Sequence, residues 1–138
     1  MAKASPQIIK AAEEYILAAT HRRADFIEAN GIHDEVSDFT CFHTTPDPPN
    51  RTLESFVGDM RRFQSQNLIA NSFDFDSDGW VVGEVAWVIS QMKGTFPDGF
   101  LIDVRVTTVL RCVEGQWRIA HMHLSEPVGG EQHMKPKA

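Results

Sequence analysis

RVTTVLRCVEGQWRIAHMHLSEP, Arg105–Pro127, is the stretch on which the fold turns. Two runs rich in β-branched and aromatic residues flank Val113-Glu114-Gly115, the signature of a hairpin. A three-residue loop with glycine in the left-handed position puts Cys112 opposite Gln116. Counting back, Leu110 meets Arg118, Thr108 meets Ala120, Val106 meets Met122 and Val104 meets Leu124. Pro97-Asp98-Gly99 upstream supports a second such loop, with Phe96 opposite Phe100. That register pairs Met92 with Val104, Ser90 with Val106, Val88 with Thr108 and Ala86 with Leu110.

Because side chains alternate across a strand, the even-numbered residues share one sheet face. It is nearly all apolar, as a face covered by helices must be. Val88, Ser90, Met92, Val104, Val106, Ala120, Met122 and Leu124 are the expected ligand-binding lining, with Thr108 among them. The other face is mixed: Trp87, Arg105, Val109, Trp117, Ile119, His121 and His123. So large an apolar patch is unusual on a monomer, so a homodimer joined through this outer face is expected.

Outward from these strands, further strand-like runs cover 68–77 and 80–96. Both Asp78-Gly79 and Gly83-Glu84 are acceptable turns, which leaves the boundaries between 73 and 85 open. Before them the period is helical. Ser5-Pro6 is a start signal, and Ile8, Ile9, Ala12, Tyr15, Ile16 and Ala19 give helix over about 6–20. A short helix follows over about 22–30, then a strand over about 35–43, EVSDFTCFH. After the proline-rich TTPDPPN, Leu53, Phe56, Val57, Met60 and Phe63 mark an amphipathic helix over about 52–66. Helices first and an antiparallel meander afterwards make an α+β domain, with helices on one sheet face. The end, from about 127 to 138, reads as a polar tail.

The chain of 138 residues is the length of one domain, with 42% hydrophobic and 23% charged residues, ordinary for a globular protein. Net charge is −6, and the longest basic runs are Arg22-Arg23 and Arg61-Arg62. That balance argues against nucleic-acid or anionic-membrane surfaces and leaves small molecules and proteins as partners. No stretch approaches the roughly 20 apolar residues of a membrane span, and a cytoplasmic location is the expectation. Cys41 and Cys112 sit in apolar strand contexts and read as buried reduced thiols.

His121 and His123 have the spacing by which two imidazoles on one strand face can meet a metal. A third ligand is wanting, since Glu126 points to the opposite face and Arg105 opposes a cation. A hydrogen-bonded network at a subunit interface is the better reading, with no metal. Asp74-x-Asp76-x-Asp78-Gly79 opens like a calcium loop, but Val85 stands where the closing glutamate belongs.

The order of elements, together with Arg105, Thr107, Gly115, Trp117, Ile119, His121, His123 and Ser125, resembles the SnoaL-like group of the nuclear transport factor 2-like superfamily. EVAWV, residues 84–88, is similar to that group's preceding strand. The resemblance implies a cone-shaped α+β barrel, usually dimeric, with a pocket between the helices and the concave sheet face. It leaves function wide, because the fold hosts isomerases, cyclases, dehydratases and purely associative domains. Ketosteroid isomerase, in the same superfamily, uses a tyrosine on its first helix and two carboxyl groups. The comparison puts Tyr15 at the tyrosine's position, but His43 and Thr108 where the carboxyl groups stand. It therefore implies a cofactor-free isomerase, cyclase or dehydratase acting on an apolar ligand. In that reading His43 moves a proton and Tyr15 or Thr108 donates to an oxygen. The alternative is a non-catalytic ligand-binding or assembly domain.

Overall fold

A computed structural model describes residues 2–64 and 72–127. In chain order the elements are β1 (Ala2–Lys3), α1 (Pro6–Thr20), α2 (Ala24–Asn30), β2 (Thr40–Phe42) and α3 (Leu53–Arg62). Four long strands complete the series: β3 (Ser72–Val82), β4 (Val85–Thr95), β5 (Leu101–Val113) and β6 (Gln116–Ser125). They form one six-stranded sheet in the order β1-β3-β4-β5-β6-β2, antiparallel except where β2 runs parallel to β6. No helix among the described residues is long and apolar enough to cross a membrane.

Local chemistry sets most boundaries. Ser5 caps α1 by accepting from the Ile8 amide, and Pro6 occupies the first turn, where its missing N–H costs nothing. Ile8, Ala12, Tyr15 and Ile16 then fall on one face and are buried. Thr52 caps α3 in the same way through the Ser55 amide, at 3.1 Å. The second helix starts at Ala24 rather than 22, because Arg22 adopts a left-handed conformation (φ 55°). The expected strand over 35–43 shrinks to Thr40–Phe42, because Asp34 Oδ1 accepts from the amides of Val36 and Ser37 and coils the chain into a turn. The third helix is seen over Leu53–Arg62, and the expected strand start at 68–71 and the tail beyond 127 lie outside the described residues.

The two C-terminal hairpins differ in how their turns count. Between β4 and β5 the expected register holds throughout: Met92 faces Val104, Ser90 faces Val106, Val88 faces Thr108 and Ala86 faces Leu110. Gly99 takes φ +86° in that loop. Between β3 and β4 the turn is Gly83-Glu84, which leaves Asp78-Gly79 inside one continuous strand. Between β5 and β6 the turn has two residues, Glu114 (φ 51°) and Gly115 (φ 79°), so Val113 faces Gln116 and Leu110 faces Ile119. A bulge at Ala120 then restores the alternation, with Val109 facing His121, Thr108 facing Met122 and Val106 facing Leu124.

This corrects the expected faces on β6. Up to the bulge the odd residues point inward: Ile119 is buried in the core and Trp117 packs against it, so neither belongs to the outer face. After the bulge the even residues Met122 and Leu124 point inward as expected, while Ala120 is the half-buried extra residue. The core lies between the inner sheet face and the helices, where Tyr15, Phe39 and Phe56 meet Val88, Met92, Val106, Leu110 and Met122.

Candidate functional site

Among the described residues most of the expected lining is packed as core. Val88, Met92, Val104, Val106 and Met122 are buried core residues, and Thr108 is wholly buried among them. Ser90 is buried too, and its hydroxyl hydrogen-bonds Ser77 Oγ at 2.8 Å, which in turn donates to Glu13 at 2.6 Å. The Thr108 hydroxyl has no hydrogen-bond partner among the described residues. Tyr15 is also fully buried, and its hydroxyl donates to the Ile27 carbonyl at 3.2 Å. Loss of solvation, aided by the neighbouring Cys41, pushes its pKa far above the usual phenol range.

Polar groups gather instead where the barrel opens, between the β2–α3 loop, the end of α3 and the start of the α1–α2 turn. A cleft of about 620 Å³ lies there, walled by His43, Asn50, Ser55, Asp59, Arg22, Arg62 and the proline loop. Met60, Phe63 and Leu124 supply apolar surface. The size is that of a small-molecule site.

Asn50 organises this wall. Its backbone exchanges both hydrogen bonds with Cys41, at 2.9 and 3.0 Å, which ties the proline-rich loop to β2. Its side-chain nitrogen donates to Ser55 Oγ at 2.8 Å and to Asp59 Oδ2 at 3.0 Å. Both amide protons are thereby used, so the Asn50 oxygen faces His43 and accepts from its Nε2–H. Neutral His43 is held as the Nε2–H tautomer, with the lone pair on Nδ1. The ring lies on Phe56, centroids 6.0 Å apart. Asp59 is fixed from the other side by Arg62 at 2.9 Å.

Cys41 Sγ stands 4.0 Å from His43 Nδ1, and a thiol, an imidazole and an amide in a row invite comparison with a cysteine nucleophile. The thiol is fully buried, and desolvation pushes its pKa up to about 12, so it stays protonated and inert.

Tyr15 and His43 do not converge. Ring contacts run from Tyr15 to Phe39 (5.8 Å), from Phe39 to Phe56 (4.9 Å) and from Phe56 to His43. Of the expected lining only Leu124 reaches the cleft with His43, and Thr108 does not border it. Asn50, Asp59 and Arg22 were missed in the sequence. Asn50 lies in a proline-rich loop, and only its long-range pairing with Cys41 brings it to His43.

On the outer face, His121 Nδ1 and Thr40 Oγ1 form a 2.7 Å hydrogen bond, and the Phe42 ring packs beside both His121 and His123. Burial holds the His121 pKa below its usual value, with the charge of His123 adding to the effect, against a hydrogen bond that the ring donates to the Thr40 backbone. No group of three His, Cys, Asp or Glu side chains suited to a metal occurs among the described residues.

Residues 8–129 match the SnoaL-like domain family. The chain belongs to that family. No curated protein matches it in sequence. Among solved structures, a candidate dehydratase of the nuclear transport factor 2-like family from Streptomyces avermitilis superposes with a TM-score of 0.70 at 16% identity. That alignment covers 89% of this chain and 95% of the other. A nuclear transport factor 2-like protein of unknown function from Pseudomonas putida gives 0.68 at 18% identity, over 91% and 87%. A ketosteroid isomerase-like protein from Erwinia carotovora atroseptica gives 0.66 at 15% identity, over 88% and 95%. At these identities the likeness is one of fold: three helices on a curved, mostly antiparallel sheet.

Proposed function

We propose that this SnoaL-like protein binds a small organic molecule in the open-end cleft and transfers a proton on it through His43. The observation that carries the reading is the hydrogen-bonded row Asp59–Asn50–His43 in the cleft wall. Asn50 holds Nε2–H, so Nδ1 is the nitrogen that can take a proton from an acidic C–H or O–H. The imidazolium that forms keeps its bond to Asn50, whose amide is polarised by the Asp59 carboxylate. Such a group suits an isomerase, cyclase or dehydratase working by acid-base chemistry alone. Tyr15 and Thr108, closed into the core, then act as structural residues.

Proton transfer can be read without knowing the product. Carbon acids of different size are incubated with the protein in D2O, and deuterium uptake is followed by mass spectrometry. Uptake that is lost in His43→Gln supports the reading; uptake equal in both proteins, or none with any compound, sinks it.

A specific observation favours a second role, assembly. The outer face carries the stacked pair Trp80 and Trp87, centroids 6.0 Å apart, and an Ile89 that is 47% exposed. Asp74, Asp76 and Asp78 flank this apolar centre on β3, and Arg105, His121 and His123 flank it on β5 and β6. A two-fold axis running along the strands lays the acidic row of one copy on the side of the other that carries Arg105, so a second copy is the partner that fits. Sedimentation of the wild type and of Ile89→Lys tests this: a dimer reduced to monomer supports it, and a wild-type monomer overturns it.

A further inference from the structure

Resting on that reading of the cleft, we infer that its ligand is a small carboxylic acid whose carboxylate is held by Arg22. The inference starts from a backbone oddity. At the end of α1 the amide of Arg22 donates to Ala19 and that of Arg23 to Ala18, the paired bonds of a Schellman stop. The residue at the turn of that motif must take a left-handed conformation and is usually glycine. Arg22 takes it instead, at φ 55°, although a Cβ there is disfavoured. Backbone strain of this kind is kept where a side chain is needed.

The Arg22 side chain reaches the far end of α3, where Nη1 donates to the Phe63 carbonyl at 2.9 Å. Its guanidinium lies 5.7 Å from the centre of the Phe63 ring, and that of Arg62 lies 5.5 Å from the same ring. Two cations are thus gathered on one phenyl group at the cleft wall. Arg62 is matched by Asp59; Arg22 has no ion pair among the described residues. Four of its five N–H donors have no bond there, in the planar arrangement that suits a carboxylate. Asp47 and Asp59 border the same cleft, which favours a monoanion over a phosphate dianion. His43 on that wall then faces the remainder of a carboxylic acid, the part that carries the proton to be moved.

The competing explanation is mechanical: Arg22 only ties α1 to α3 through Phe63. Benzoate and its neutral analogue benzamide separate the two, with binding followed by 15N-resolved NMR titration and stability by thermal unfolding. Wild type is expected to bind benzoate at least tenfold more tightly than benzamide. Arg22→Gly relieves the backbone, so it should lose the benzoate preference with Tm unchanged or raised. Arg22→Gln keeps a donor for the Phe63 carbonyl but no charge, and should lose the preference while staying folded. Benzoate binding that survives in Arg22→Gln, or a wild type indifferent to the two probes, overturns the assignment. His43→Gln should still bind benzoate while losing deuterium uptake, so failure of proton transfer and failure of the carboxylate site give different results.

Discussion

The inner face of the sheet and the cleft at its open end belong to one barrel, yet they spend their residues in opposite ways. The inner face is filled: Tyr15, Phe39 and Phe56 press on Val88, Val106 and Met122, and little that is polar remains. The cleft keeps polar groups bound to one another, from the buried Asn50 to the exposed Ser55, with His43 and Arg22 half-buried in its wall. Apolar burial of about 25 cal/mol per Å2 makes the first region the source of stability. Groups with spare hydrogen-bonding capacity make the second the place for the proposed chemistry. On the proposed reading, a concave apolar wall is no guide to where a ligand goes in this member of the fold.

The largest effect should come from Phe56, which belongs to both regions, being packed on Phe39 and lying under His43. Phe56→Ala should cost about 3–5 kcal/mol of unfolding free energy, the usual range for a closed aromatic core site. Urea denaturation measures it. A loss below about 1 kcal/mol would mean that the space collapses freely, and that the inner face is a pocket rather than a core.

Thr108 gives the next largest effect, and with the opposite sign. Its hydroxyl is buried and has no partner among the described residues, so Thr108→Val should raise stability by about 1 kcal/mol by removing an unsatisfied group. Destabilisation instead would reveal that a water or ligand hydrogen-bonds the hydroxyl inside the barrel. The inner face would then hold a binding site as well as the core.

Which region was legible in the sequence follows from what specifies each. The inner face rests on period-2 alternation and on turns with a glycine in a set position, and the β4–β5 register could be counted from Pro97-Asp98-Gly99 alone. The count failed on β6 because a two-residue turn plus a bulge at Ala120 has the same overall parity as a three-residue loop. Met122 and Leu124 therefore come out on the inner face either way, while Trp117 and Ile119 change sides. The cleft had no such periodicity. His43 could be singled out by its place at a strand end, but Asn50 and Asp59 join it only through tertiary contacts spanning a proline-rich loop and α3. Arg22 carries a local signal that reads as a helix end, and its role depends on Phe63, far along the chain.

The smallest effect tests whether Tyr15 belongs to the core alone. Its hydroxyl donates to the Ile27 carbonyl, which also accepts from the Gly31 amide at 2.9 Å. Tyr15→Phe leaves that carbonyl with a partner, so the loss should stay at about 0.5 kcal/mol, the low end for one ordinary hydrogen bond. The variant should also change how stability depends on pH. Burial raises the Tyr15 pKa, so above about pH 10 the unfolded chain releases the phenol proton while the folded chain keeps it. Stability from this group is thus complete below that pH and falls as pH rises above it. Tyr15→Phe should lessen the alkaline fall by the share of Tyr15 and leave the share of the buried Cys41 thiol, whose pKa is pushed up to about 12, as read from urea denaturation between pH 9 and about 11, and should leave deuterium uptake through His43 unchanged. A tenfold drop in uptake would place the phenol at the reacting molecule, and the line between closed core and working cleft would no longer run between Phe39 and Phe56.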